Sequence, residues 1–326
     1  MRAVLCHEFG PIESLKIEEV EPPLPNARQV LISVQACGMN YPDVLMAEGK
    51  YQAIPPFPFS PGTEVAGIIE KVGTDVLKYR PGQPVVATVW AGGLAEKVVA
   101  SEDSLRTVPK GMDLVTAAGI SVTYGTSYYA LKQRARLREN QTLLVLGAAG
   151  GVGISAVELG NAMGAKVIAA ASSDEKLEIA KKAGAAEIVN YSDGNLKDKV
   201  KAITKGLGAD VIYDPIGGPL FDQCMRCVAW EGRVLVIGFV QGIPKVPTNL
   251  ALLKGCEIVG VFFGDWTRRD PEGADENLAE LQKMFETKTL QPLIGKVYDF
   301  ENFSHSLEDL KERRAMGKLV VTVGSS

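Results

Sequence analysis

Long apolar runs and blocks of like charge are both missing from this sequence. Its longest apolar segments, such as residues 143–152, are broken by glycine or charge and fall short of the roughly 18 residues that a membrane-spanning helix needs. The 35 basic and 39 acidic side chains are interspersed, so the net charge of -4 includes no basic patch that would attract nucleic acid or an anionic lipid surface. We therefore expect a protein that acts on small molecules and binds neither membranes nor nucleic acid.

Cysteine is too scarce for a disulfide framework. The chain has five cysteines, so at least one must stay unpaired. Cys224 and Cys227 form an isolated C-x-x-C pair in a segment predicted to be helical over residues 221–230, and no second pair completes a zinc site. We expect buried thiols there. The N-terminus carries too short an apolar run for a secretory signal, which favours a cytoplasmic location.

The length of the chain predicts two domains. Its 326 residues exceed what one hydrophobic core usually serves, and 46% apolar with 23% charged residues is typical of globular proteins. The first 120 residues are rich in proline, glycine and short β-branched runs, notably at 29–34, 65–72 and 83–89. This pattern is typical of a compact, mostly β domain.

The pattern changes near residue 141 to apolar runs without alternation, separated by helix-length segments. Such runs indicate a parallel sheet covered on both faces, so we predict a doubly wound α/β domain. The predicted strands are 143–146, 166–171, 187–189, 210–213, 233–237 and 257–261, and the intervening helices include 152–163, 174–182 and 196–205.

The final segment is too short to bury a core of its own. After about residue 264 its pattern predicts helix 277–286, strand 295–298, helix 304–315 and strand 318–323. We predict that it packs on the first domain. That domain would then be discontinuous, with residues 1–122 and 265–326 flanking a central domain of residues 123–264.

A glycine turn separates the first strand and the first helix of the central domain. Gly147, Gly150 and Gly153 are spaced three residues apart, with Gly151 and Val152 between the last two. In this context missing side chains let the backbone approach a pyrophosphate, and the helix N-terminus offers free N–H groups. We predict that these five residues bind the diphosphate of a dinucleotide. The alternative is a tight turn without a ligand.

The end of the second predicted strand lacks the acid that holds the ribose 2′-hydroxyl in NAD enzymes. Ser172 and Ser173 follow that strand, and Lys176 lies one helical turn later. Two hydroxyls, a helix N-terminus and a lysine suit a 2′-phosphate, although Ser172 and Glu175 could also form a capping box. Asp174 would repel the phosphate if it pointed at the ribose. We nevertheless predict NADPH as the cofactor.

Six short motifs are spread over nearly the whole chain. They are MRAV at 1–4, CGMNYPD at 37–43, GKY at 49–51, PGTEVAG at 61–67, YRPGQPV at 79–85, and KAGA at 182–185 leading to NY at 190–191. Together with the glycine turn, they resemble the zinc-independent quinone oxidoreductases of the medium-chain dehydrogenase/reductase superfamily, the group that includes zeta-crystallin. The resemblance implies a GroES-like catalytic domain built from both ends of the chain, a Rossmann domain between them, and a cofactor in the cleft.

The zinc ligands of the related alcohol dehydrogenases are not matched. A histidine precedes their counterpart of Glu64, and Thr63 stands at that position here. Cys37 aligns with a ligand cysteine, but one thiolate cannot build a three-ligand site. The cysteines of the structural zinc lobe are missing, and His7 and His305, the only histidines, read as near-surface residues. The resemblance therefore implies an enzyme without zinc.

The resemblance also implies residues at the nicotinamide. It places Asn40 and Tyr51 beside the ring as catalytic residues, with Asn40 also counted as cofactor-binding, and Thr126 near the carboxamide or ribose. Alternatively, Asn40 could only close a turn and Tyr51 could be an interface aromatic.

At the adenosine end, Lys176 and Tyr191 match positions that hold the 2′-phosphate, beside Ser172. Tyr191 could instead simply end a strand. Lys318, at the start of the last predicted strand, completes the predicted cofactor-binding residues.

Hydride transfer needs orientation and exclusion of water more than it needs a metal or a histidine base. The resemblance therefore implies NADPH-dependent reduction of a quinone, whose oxyanion can be protonated from solvent. Reduction of an activated alkene is the alternative, with Tyr51 as proton donor, and cofactor binding with little turnover is another. Phe262, Phe263 and Trp266 could line the acceptor pocket or an interface. The resemblance also implies that the strand at 257–262 pairs across a two-fold axis in a homodimer.

Overall fold

The computed structural model describes residues 1–324 and contains two compact units. One unit comprises Met1–Val122 and the chain from Pro292 onward, and the other comprises Thr123–Gln291. The strands are β1 Arg2–Leu5, β2 Lys16–Glu19, β3 Gln29–Met39, β4 Glu64–Val72, β5 Pro84–Thr88, β6 Lys97–Ser101, β7 Leu105–Thr107, β8 Thr142–Leu146, β9 Lys166–Ala171, β10 Glu187–Asn190, β11 Ala209–Asp214, β12 Val228–Val236, β13 Glu257–Gly260, β14 Ile294–Asp299 and β15 Lys318–Thr322. The helices are α1 Tyr41–Ala47, α2 Leu114–Ala117, α3 Ser121–Tyr129, α4 Gly151–Ala162, α5 Asp174–Lys182, α6 Leu196–Ile203, α7 Leu220–Cys227, α8 Thr248–Lys254, α9 Phe263–Arg269, α10 Pro271–Glu286 and α11 Phe303–Lys311.

The unit of residues 123–291 is built on a parallel six-stranded sheet. Its strand order is β10-β9-β8-β11-β12-β13, which is the doubly wound dinucleotide-binding order. Leu143 to Leu146 are all buried because helices cover both faces of such a sheet. The predicted Rossmann fold is therefore confirmed. The order reverses between β8 and β11, and ligands bind at this switch point in open α/β sheets.

The other unit is mostly β, as predicted. Its seven-stranded sheet has the order β14-β15-β3-β4-β5-β7, with β6 also paired to β3, and every pairing but β14 with β15 is antiparallel. The final segment enters this sheet through β15, in a register that sets Leu319 opposite Met39 and Val321 opposite Cys37. Residues from both ends of the chain thus share one core.

The second boundary between the units follows residue 291, later than the 264/265 boundary predicted from the sequence. Helices α9 and α10 stay with the parallel-sheet unit because they pack on α3. The Trp266 ring stacks on Tyr129 with 4.2 Å between ring centroids and 13° between ring planes. This contact joins residues far apart in sequence, so local pattern did not reveal it.

Cys224 and Cys227 are buried free thiols, as predicted. Burial raises the pKa of both thiols above the usual range. Helix α7 ends at Cys227 and β12 begins at Val228, so the helix predicted over 221–230 was too long. Within residues 1–324, no helix is long and apolar enough to cross a membrane.

Candidate functional site

The glycine turn lies between the end of β8 and the start of α4. Gly147 has a left-handed φ of 57°, and Gly150 is the N-cap of a helix whose first residue is Gly151. A Cβ on Gly153 would come within 2.1 Å of the Gly147 carbonyl oxygen, so only glycine lets the helix pack this close to the strand. The first N–H groups of an α-helix, here including that of Val152, have no intrahelical acceptor. The turn therefore suits an anionic group such as a diphosphate.

The loop after β11 packs against this turn. Asp214 Oδ1 accepts the backbone N–H groups of Ile216 at 2.8 Å and Gly217 at 2.9 Å, which closes the loop. A Cβ on Gly147 would come within 2.9 Å of Ile216 Cδ1. Because β8 and β11 flank the switch point, this loop forms the second wall of the ligand crevice. Sequence reasoning missed it, although the D-P-x-G-G string directly after an apolar strand was an available signal.

A buried chain of hydroxyls supports the first turn of α4. The Tyr213 hydroxyl lies 2.8 Å from Ser127 Oγ, which lies 2.9 Å from Ser155 Oγ. Both serine oxygens are 3.0 Å from the Val152 carbonyl oxygen. Burial raises the pKa of Tyr213, so its hydroxyl stays protonated as a donor. The predicted site residue Thr126 lies next to Ser127 on α3 and is half-buried.

The residues predicted to hold a 2′-phosphate lie at the carboxyl ends of β9 and β10. Ser172 directly follows β9 and is exposed, while Lys176 on α5 is half-buried. Tyr191 directly follows β10, and its backbone N–H donates to the Ala171 carbonyl at 3.1 Å. The two strands pair in parallel, which brings their ends to the same edge.

The alternative role of Ser172 and Glu175, a capping box, is wrong. The N-cap of α5 is Ser173, whose hydroxyl accepts the Lys176 backbone N–H at 3.4 Å. The helix begins at Asp174, one residue too late for Ser172 to cap it. Ser172 therefore keeps an exposed hydroxyl at the strand end, where a ligand can reach it.

Asn40, Glu64 and Lys318 meet in the core of the mostly β unit. Asn40 Nδ2 donates to Glu64 Oε1 at 2.9 Å and to the Gly38 carbonyl at 3.3 Å, and its Oδ1 accepts from Lys318 Nζ at 2.7 Å. The Lys318 ammonium also donates to Glu64 Oε1. Both amide hydrogens of Asn40 are thus engaged, and its oxygen already accepts from Lys318.

Asp43 orders the backbone around this cluster. Its carboxylate accepts the backbone N–H groups of Asn40 at 2.7 Å and Gly62 at 3.2 Å. Burial raises the pKa of Asp43 to about 7, although these hydrogen bonds and the Lys318 charge oppose the shift. The nearby Tyr51 is half-buried, and burial, followed by the charge of Asp43, raises the pKa of its phenol. Tyr51 therefore stays protonated at neutral pH, as a proton donor must.

Cys37 is enclosed between two glycines. A Cβ on Gly62 or Gly93 would come within 2.6 or 2.8 Å of its Sγ. Burial raises the pKa of the Cys37 thiol well above the usual range, and two nearby carboxylates raise it further. A protonated thiol is a poor metal ligand. In the part of the chain that the structure describes, no three His, Cys, Asp or Glu side chains are arranged to hold a metal ion.

Two of the three aromatic residues considered for an acceptor pocket or an interface pack between α9 and α3. A Cβ on Gly125 would come within 2.5 Å of the Phe263 ring, so this glycine makes room for the phenylalanine. Trp266 stacks on the same helix, whereas Phe262 is exposed. The predicted choice between pocket and interface did not include this packing role.

Both parts of the sequence match known families. Residues 26–110 match the alcohol dehydrogenase GroES-like domain, and residues 151–280 match the zinc-binding dehydrogenase family. The chain is 37% identical over 325 residues to a quinone oxidoreductase-like protein 2 homolog from Nematostella vectensis, covering 98% of this chain and 88% of that protein. The chain belongs to the quinone oxidoreductase-like proteins of the medium-chain dehydrogenase/reductase superfamily.

Solved structures of this superfamily have the same fold. The quinone oxidoreductase of Thermus thermophilus, solved alone and in complex with NADPH, has a TM-score of 0.87 and 30% identity, covering 99% of this chain and 100% of that one. The CurK enoyl reductase has a TM-score of 0.90 and 25% identity, covering 98% of both chains.

Proposed function

We propose that this quinone oxidoreductase-like protein uses NADPH to reduce a quinone and that it needs no zinc. The observation that carries the proposal is the set of residues at the carboxyl ends of β8 and β9. There a glycine turn heads α4, and Ser172 with Lys176 stands where NAD enzymes carry an acid. The Thermus relative was solved in complex with NADPH, and several curated relatives are named quinone oxidoreductases.

Each cofactor group has a matching set of residues. The Gly147 turn would hold the diphosphate, and Ser172, Lys176 and Tyr191 the 2′-phosphate. When bound, NADPH supplies a hydride from its reduced nicotinamide ring. Asn40 would face that ring, as an acceptor whose orientation is fixed in advance by Lys318 and Glu64, and Thr126 would contact the carboxamide or ribose.

The proposal of zinc independence rests on charge. The Lys318 ammonium already neutralises Glu64, and a second cation beside it would be repelled. Burial also keeps the Cys37 thiol protonated. The charge of Glu64 is therefore already balanced without a metal.

Acceptor reduction tests the proposal directly. We expect the full-length protein to oxidise NADPH in the presence of 1,4-benzoquinone or 9,10-phenanthrenequinone. Tight NADPH binding without turnover on any quinone or enone would remove the enzyme proposal and leave a cofactor-binding protein.

The 2′-phosphate contact has a separate test. Lys176→Ala should raise the KM for NADPH much more than the KM for NADH. Lys181→Ala, an exposed lysine on the same helix, is the matched control and should change neither. Equal changes for both nucleotides in the Lys176 variant would exclude contact with the phosphate.

Reduction of an activated alkene is the second candidate, because the CurK enoyl reductase shares the fold at 25% identity. That reaction needs a donor for the second proton, and the protonated Tyr51 is available as one. Tyr51→Phe should depress enone reduction more than quinone reduction. Parallel losses would favour a purely positional role for the ring.

We also propose a cytoplasmic homodimer. Five free thiols suit a reducing compartment. Strand β13 is the edge of its sheet with Ile258 36% exposed, and open edges of this kind favour pairing with another chain. Light scattering should give twice the chain mass. Ile258→Lys should give the single mass, whereas Leu77→Lys, an exposed position in the other unit, should not.

A further inference from the structure

Asn190, the last residue of β10, is held in one orientation. Its side-chain Oδ1 accepts the backbone N–H of Ser192 at 3.0 Å and the Ser192 hydroxyl at 2.7 Å. Its backbone carbonyl accepts from Lys199 Nζ at 2.7 Å. Because two donors fix the amide oxygen, the amide nitrogen faces the other way. Nδ2 donates to Asp174 Oδ1 at 2.7 Å.

This contact lies beside the predicted 2′-phosphate residues. Asn190 pairs in register with Ala171, which directly precedes Ser172, and Asp174 is the first residue of α5. An acid at this edge of a dinucleotide-binding sheet accepts the ribose 2′-hydroxyl in NADH enzymes. The same carboxylate would repel a doubly charged phosphate. The direction of the Asp174 carboxylate can therefore favour one nucleotide over the other.

We propose that Asn190 determines cofactor specificity by holding the Asp174 carboxylate away from the ribose. The hydrogen bond occupies one carboxylate oxygen and brings the positive end of the amide dipole against its charge. NADPH then meets the hydroxyl of Ser172 and the Lys176 side chain without an opposing acid. This inference rests on the proposed use of NADPH.

The test is a double-mutant cycle on nucleotide binding by the full-length protein, read by calorimetry as Kd for NADPH and for NADH. Asn190→Ala should raise the Kd for NADPH about tenfold, since the freed carboxylate can turn to the phosphate, and should leave the Kd for NADH unchanged or lower it. Asp174→Asn should bind NADPH at least as tightly as the wild type. In the Asp174→Asn background, Asn190→Ala should have no further effect.

Other results overturn the inference. If Asn190→Ala weakens both nucleotides equally, or weakens NADPH just as much in the Asp174→Asn background, Asn190 acts on the fold and not through the carboxylate. If the Asn190→Ala protein is unstable, Asn190→Thr replaces it. Threonine forms strands well, and its hydroxyl is shorter than the asparagine amide, so this variant should show the same rise in the Kd for NADPH. If the wild type prefers NADPH and the Asn190 variants bind both nucleotides with wild-type Kd, this inference alone is refuted. If the wild type binds neither nucleotide, the proposed function is refuted as well.

Discussion

The ammonium of Lys318 donates to the carboxylate of Glu64 across 254 residues of sequence, with the two side chains only 4% and 1% exposed. Desolvation offsets most of the attraction in such a pair. Removing only one partner is nevertheless strongly destabilising, because the other charge is then buried without a counter-ion. The pair also orients Asn40, so stability and the predicted nicotinamide contact depend on the same two groups.

A double-mutant cycle should reveal this dependence. We expect Lys318→Met and Glu64→Gln each to lower the free energy of unfolding in urea by about 3–5 kcal/mol. The double variant should cost clearly less than the sum of the two, because no lone charge remains. Additive costs would mean that the two side chains do not interact as a pair.

Glu158 should make stability depend on pH. Its carboxylate accepts from the Tyr124 hydroxyl and from the Gln291 backbone N–H, and burial raises its pKa to about 7. The folded protein therefore keeps this proton to higher pH than the unfolded chain does. The resulting stabilisation is complete below about pH 4.5 and is lost as the pH rises through 7.

Glu158→Gln removes this titration. Between pH 5 and pH 8 its unfolding free energy should fall less than that of the wild type, by on the order of 1–3 kcal/mol. Asp43, with a pKa also near 7, should leave a residual slope of the same sign. Glu178→Gln, at an exposed glutamate of α5, should follow the wild-type profile. Parallel profiles for all three proteins would contradict the assignment.

Gly153→Ala should weaken NADPH binding. The added Cβ would lie 2.1 Å from the Gly147 carbonyl oxygen, so either the helix or the turn must move. We expect at least about a tenfold rise in Kd, together with a lower Tm. Gly264→Ala is the control, because a Cβ there meets nothing within 4 Å and lies within α9. Normal affinity in the Gly153 variant would show that the turn does not hold the diphosphate.

Turnover should survive chelation. Overnight dialysis against EDTA should leave quinone reduction unchanged, and elemental analysis of the active protein should find far less than one zinc per chain. A loss of activity that added Zn²⁺ restores would refute zinc independence and with it the proposed role of the Lys318 charge.

Local pattern was enough to predict the parallel sheet. Strand 166–171 and helix 174–182 were predicted with the bounds that β9 and α5 have, because buried parallel strands are uniformly apolar and the helices between them are amphipathic. The glycine turn was also predictable, because all its residues lie in one short segment of the sequence. The cap at Ser173 was missed by one residue, since two adjacent serines offer the same chemistry and only the backbone selects one.

Long-range contacts lay beyond the reach of the sequence. Asn40 was expected to meet the nicotinamide, but its bonds to Glu64 and Lys318 require β3 to pair with both β4 and β15, and no local signal encodes those pairings. Lys318 was predicted only as cofactor-binding, because nothing in the sequence reveals that its charge is already matched. The stacking of Trp266 on α3, which holds α9 and α10 to the parallel-sheet unit, was missed for the same reason.

The pairing of β15 with β3 delays the folding of β3, because β15 is synthesised much later. A ribosome adding about 5–20 residues per second makes Lys318 roughly 13–50 s after Glu64. Throughout that interval the nascent segment contains Glu64, which is buried in the folded protein, but not yet Lys318, its counter-ion. The segment that contains β3 and Glu64 must therefore be among the last to reach its native state, and chaperones have that interval in which to act.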